Sequence, residues 1–236
     1  MTTYSTTAVC RPCILGAITL LFALSAGAIA LHSQPIPING GMENWIHFDP
    51  PPGRRIPLLP GGEIPAGVTV QAEALAPFST AEDPVKSTLA RDADVKHSGK
   101  YSLRIENAED SGITTASISP FPVQANTRYV IKLRVKTEGV VPNPKEHRGG
   151  VHVWTHIGPK DNALFWDGKN LRINQPIPAT LRSGTRDWFQ LELPFETKAD
   201  TGQLRIVLQL RLAKGIVWFD DVEVEKTGSS IPVTSF

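Results

Sequence analysis

Residues Gln203–Lys226, QLRIVLQLRLAKGIVWFDDVEVEK, decide the fold. Leu204, Ile206, Leu208, Leu210 and Leu212 recur at every second position, with Arg205, Val207, Gln209, Arg211 and Ala213 between them. On an extended strand this pattern makes one dry side, whereas on a helix it would spread apolar groups over every side. Lys214-Gly215 then breaks the run before Ile216-Val217-Trp218-Phe219, and the spacing predicts a hairpin turning at Gly215.

The same alternation recurs upstream. Tyr129, Ile131, Leu133 and Val135 share a side against Arg128, Val130, Lys132, Arg134 and Lys136, and Val151, Val153, Thr155 and Ile157 oppose His152, Trp154 and His156. Tyr101 to Ile105, Ile113 to Val123, Phe189 to Leu193 and Val68 to Leu75 read as further strands, separated by Gly, Pro, Asn and Asp turns. No helical period is sustained beyond residue 31. The expected fold is therefore all-β, a two-sheet antiparallel jelly-roll sandwich preceded by an N-terminal hydrophobic helix. Residues 50–67, rich in Pro and Gly, are expected to form a surface excursion, since such a composition disfavours helix interiors and central strands.

Three stretches carry a resemblance. Gly215–Lys226, with Trp218-Phe219 ahead of Asp220-Asp221, resembles the closing strand of the carbohydrate-binding jelly rolls of the galactose-binding-like superfamily. Asn39-Gly40-Gly41-Met42-Glu43-Asn44-Trp45 resembles their opening strand, and His97–Ile105 (HSGKYSLRI) a third landmark between them. The resemblance spans Asn39 to Lys226 and implies a carbohydrate-binding-module type of fold. It also implies a structural calcium ion held by Glu43 and Asp220, with backbone help from Asn39, Ser98 or Lys100, because calcium accepts carbonyls beside carboxylates.

The chain of 236 residues is long enough for one well-cored domain, and its 24 basic and 23 acidic residues give no polyelectrolyte character that would suit nucleic acid. Residues 1–13 form a cytoplasmic n-region with Arg11 as their one charged side chain, and 14–31 (ILGAITLLFALSAGAIAL) form an 18-residue apolar run. That run is read as a transmembrane anchor or a signal peptide. Its length reaches the lower limit for a span, while Ala26-Gly27-Ala28 and Ala28-Ile29-Ala30 fit a cleavage site. Retention predicts a single-pass protein of the inner or plasma membrane with its domain outside the cytoplasm; cleavage predicts a periplasmic or secreted one. Residues 32–38 are expected as a linker, 39–227 as the sandwich and 228–236 as a tail. Cys10 and Cys13 precede the apolar run, so their spacing is read as incidental or as an acylation site.

No nucleophile elbow, zinc-protease helix, phosphate-binding loop or dinucleotide fingerprint occurs, and Asp220 and Asp221, adjacent on a strand, are expected to face opposite ways. The chain is therefore read as a binding protein rather than an enzyme. If strands 128–136, 151–157 and 204–212 share a sheet, Lys132, Arg134, His152, Trp154, His156, Gln209 and Arg211 form one outward patch, basic and centred on an indole. Phe165 and Trp166, in the loop after the strand that carries His152 and His156, are candidates for the same surface. Such a patch suits a glycan, acidic ones included, or an acidic protein face. Two readings follow: a membrane-tethered extracytoplasmic module of carbohydrate-binding type, or a structural docking subunit on the outer face of a larger membrane complex. No catalytic domain accompanies the module within these residues, which favours the docking reading; the resemblance favours the first.

Overall fold

The fold is known from a computed structural model, which describes residues 36–49, 57, 59–74, 86–159, 171–173 and 179–229. Among these the structure is all-β apart from one 3-10 turn at Ala179–Leu181. The strands are β1 (Trp45–His47), β2 (Glu63–Pro65), β3 (Val68–Ala74), β4 (Ser87–Asp92), β5 (Ser102–Asn107) and β6 (Gly112–Pro122), followed by β7 (Thr127–Pro142) and β8 (Gly150–Pro159). The remainder are β9 (Leu171–Ile173), β10 (Gly184–Glu196), β11 (Thr201–Arg211) and β12 (Ala213–Ser229). A first sheet runs β10-β7-β12-β5-β4 and a second β3-β6-β11-β8-β9, while β1 and β2 form a small ribbon. Every ladder is antiparallel.

The alternation positions the core as expected. Leu103, Ile105, Ile131, Leu133, Val135, Phe219 and Val224 of the first sheet meet Ala116, Ile118, Val151, Val153, Leu204, Ile206, Leu208 and Leu210 of the second in one apolar cluster. Each fully buried Leu, Ile or Phe contributes about 1.5–3 kcal/mol relative to exposure. Tyr129 stacks on Phe195 at the sheet end, and its hydroxyl accepts the Gln124 N–H at 2.8 Å.

The expected C-terminal hairpin does not form. β11 belongs to the second sheet and β12 to the first, so the chain crosses the sandwich at Leu212 instead of folding back beside itself. Leu212 takes a left-handed conformation (φ 40°); its N–H donates to Gly112 O at 2.7 Å and its carbonyl accepts from Asn143 N at 2.8 Å. The corner is clamped from inside by buried Asn107, whose Nδ2 donates to Leu210 O and Ala213 O at 3.3 and 3.1 Å while its Oδ1 accepts from Thr114 Oγ1 at 2.6 Å. Gly215, expected in the turn, lies within β12. Both strands have a dry face, and that is why their alternation is the same whether they pair or oppose each other.

Within the expected excursion at 50–67, Glu63–Pro65 pairs with Trp45–His47. The last residues of the expected 32–38 linker belong to the sandwich, since Ile36 N–H donates to Val224 O at 3.1 Å and Ile36 and Ile38 pack on the core. β12 runs two residues into the expected tail. The apolar run 14–31 and Cys10 and Cys13 lie outside the described residues.

Candidate functional site

The three stretches that carry the resemblance meet in space. Val222 N–H donates to Gly40 O at 3.0 Å, and a Cβ on Gly40 would fall 1.7 Å from Val222 O, so only glycine permits this crossing. The turn at 97–101 then takes both acids expected as metal ligands. Glu43 Oε1 accepts from Lys100 N at 2.8 Å, and Asp220 Oδ2 accepts from His97 N and Ser98 N at 2.8 and 3.1 Å. Asp220 Oδ1 accepts from Asp221 N at 2.8 Å. Gly99 occupies a left-handed conformation (φ 57°) with its missing Cβ directed at the Glu43 carboxylate.

Asp220 and Asp221 do not face opposite ways. The register of β12 on β7 shifts between Asp220 and Glu223, and Asp221 is left-handed (φ 47°). This bulge turns both side chains onto one turn, Asp221 Oδ2 lying 2.6 Å from His97 Nδ1 and its Oδ1 accepting from Ser98 Oγ at 2.5 Å. Asp220 is fully buried, and burial pushes its pKa up against the pull of the three amide donors.

Calcium was the cofactor implied for Glu43 and Asp220. In this arrangement the backbone groups of Ser98 and Lys100 turned toward the two acids are N–H donors, which complement a carboxylate. Asn39, the other expected backbone contributor, turns its carbonyl to Met42 N–H at 3.2 Å, while its side chain spans the same turn, Oδ1 accepting from Asn44 N and Nδ2 donating to Asn44 O. Thermal melts of the protein with calcium and with excess chelator are expected to coincide; a drop of several degrees on chelation would mean that the turn rearranges around an ion.

The second candidate surface is the outward face of the second sheet. The register places Gln71, Thr115, Gln209 and His152 in one cross-strand row, Thr69, Ser117, Val207 and Trp154 in the next, and Arg205 beside His156 in a third. Trp154 Nε1–H donates to Gln209 Oε1 at 3.2 Å, and Gln209 Nε2–H donates to Thr115 Oγ1 at 2.9 Å, so one polar chain crosses β8, β11 and β6. The His152 ring stacks on Trp154 with centroids 5.3 Å apart, and its Nε2 is bonded to the Arg148 carbonyl. His152 is 8% exposed; burial pulls its pKa down to about 4, helped by repulsion from Arg182, Arg211 and Arg148, although the bond to the Arg148 carbonyl opposes this. The imidazole is thus neutral at neutral pH. Val207 is 7% exposed and Trp154 and Gln209 are half-buried, so this face is partly enclosed.

Part of the expected patch separates from it. β7 lies in the first sheet, so Lys132 and Arg134 are on the other side of the molecule from His152, Trp154, His156, Gln209 and Arg211. Lys132 is engaged there, its Nζ donating to Glu225 Oε2 at 2.8 Å. Phe165 and Trp166 lie outside the described residues. Sequence reasoning included Arg211 but missed Thr115, which ends the polar chain, and Arg148 and Arg182 beside His152. Arg205 was visible in the alternation, two positions from Val207. Arg148 and Arg182 sit in turns, where no period marks a facing side.

No protein-family model matches the chain, and no curated protein matches it. Among solved structures it is similar to a cyclase from Fischerella sp. TAU, at 15% identity over 84% of this chain and 100% of that chain, with a TM-score of 0.49. It is similar to the enzymatically active domain of bacteriophage CBA120 tailspike protein 4, at 9% identity and a TM-score of 0.47, over 68% of this chain but only 19% of that one. A third is the CBM22-1 xylan-binding domain from Paenibacillus barcinonensis, at 13% identity over 67% and 86% of the two chains, with a TM-score of 0.38. Likeness at this level leaves ligand and chemistry open.

Proposed function

We propose that the domain is a non-catalytic binding module of carbohydrate-binding type, a galactose-binding-like jelly roll held outside the cytoplasm by the apolar segment 14–31. Its ligand lies on the outward face of the second sheet. The observation that carries this reading is the hydrogen-bonded row Trp154–Gln209–Thr115 on a partly enclosed sheet face, with His152 stacked beside the indole. An indole offers an apolar plane with a polar edge, and fixed amide and hydroxyl groups beside it both donate and accept, as sugar hydroxyls require. The polar chain is stretched across three strands of a rigid sheet, so little side-chain freedom remains to be lost on binding.

Affinity electrophoresis against a panel of neutral and acidic polysaccharides tests it. Trp154→Ala is expected to weaken binding by about 1–2 kcal/mol, roughly tenfold. Trp154→Phe keeps the aromatic plane but loses the bond to Gln209, and should fall between. If no polysaccharide retards the wild-type protein, while a protein complex from its membrane binds it and added sugars do not compete, the face is a docking surface and the carbohydrate reading fails.

A further inference from the structure

We infer that the end of this face where β8 begins is an anion site, and that its ligand is the carboxylate of a uronic-acid polysaccharide. The inference rests on the reading of the face as a glycan surface. Three arginines arrive there from separate parts of the chain. Arg211 of β11 is the register partner of Gly150; the Arg182 carbonyl accepts Val151 N–H at 2.9 Å; and the Arg148 carbonyl is bonded to His152 Nε2. All three lie close enough to His152 to disfavour its protonated form.

Among the described residues these cations have no acidic partner. The ion pairs among the described residues involve Arg91, Arg104, Arg128, Lys86, Lys132, Lys136 and two histidines, and none of Arg148, Arg182, Arg205 and Arg211. Glu146, two positions before Arg148, spends its Oε1 on the Arg148 backbone N–H at 3.0 Å. Arg182 Nε is buried without a hydrogen-bond partner, as is Arg205 Nε farther along the face. A buried guanidinium N–H without an acceptor is costly, and a carboxylate is the planar partner that satisfies its fork. Arg205 lies six positions from Arg211 on β11, a span of ~20 Å at the strand rise, with Trp154 between the two rows. Cations at both ends of an aromatic suit an oligomer with repeated charges better than a single sugar.

The test uses the full-length chain in detergent, with polygalacturonate, neutral xylan and dextran sulfate as probes. Wild-type protein should prefer polygalacturonate, and its affinity should fall steeply with added salt. The pair Arg182→Gln and Arg211→Gln should lose at least tenfold toward polygalacturonate with binding to xylan unchanged, whereas Trp154→Ala should lose both. Equal wild-type binding to xylan and polygalacturonate, without salt dependence, overturns the anion site and leaves the carbohydrate reading standing. Tighter binding to dextran sulfate overturns the carboxylate assignment. Binding to none of the three overturns the carbohydrate reading, and the anion site falls with it. The salt dependence of the wild type decides the matter even if the arginine variants fold poorly.

Discussion

Asp220→Ala is expected to destabilise the sandwich by about 3–5 kcal/mol, because it strips the acceptor from three backbone N–H groups at a fully buried position. His97 N, Ser98 N and Asp221 N would each lose this acceptor in a part-buried setting. The loss should be the same with calcium and with chelator, since the carboxylate acts on amides. Asp220→Asn retains one carbonyl oxygen and should lose less, as only one side of the original pair of acceptors disappears. Urea unfolding of the three proteins measures this; a loss below about 1 kcal/mol for the alanine variant would show that the 97–101 turn does not depend on the acid.

The second large effect is a dependence of stability on pH through His152. Its folded pKa of about 4 lies below the ordinary 6.5, so the unfolded chain binds a proton that the folded one refuses between those values. The contribution is fully present above pH 6.5 and is lost as pH falls toward 4, amounting to about 3 kcal/mol if the whole shift is realised. His152→Gln keeps a donor for the Arg148 carbonyl and carries no titrating proton. Unfolding free energies of the two proteins, compared across this range, should diverge in slope, with the wild type steeper. Parallel slopes would mean that the imidazole is reached by water and titrates as it does in the unfolded chain.

The alternation of apolar residues revealed which side of each strand is dry, and Tyr129, Ile131, Leu133 and Val135 are buried as their spacing requires. It did not reveal which strands are neighbours. Pairing of β11 with β6 and β8, and of β12 with β5 and β7, is set by complementarity across long stretches of chain, whereas periodicity is a local property. Hence Trp154, His152, Gln209 and Arg211 were grouped correctly, while Lys132 and Arg134, with the same alternation, were placed on the wrong sheet. The reading of Asp220 and Asp221 failed for a different reason. A left-handed residue inside a strand breaks the two-residue period, and an aspartate, unlike a glycine, gives little warning that it will adopt one.

β12 lies in the middle of the first sheet, between β7 and β5, and pairs Phe219 with both Val135 and Leu103. Those two strands do not pair with each other, so the sheet has no centre until β12 has been made. A nascent chain that ends short of Ala213 carries two open strand edges with apolar faces, which invite pairing with other chains. Closure of the sheet joins residues roughly a hundred positions apart and is intrinsically slow. Assembly of this sheet thus waits on β12, and its most aggregation-prone interval is the one just before that strand arrives.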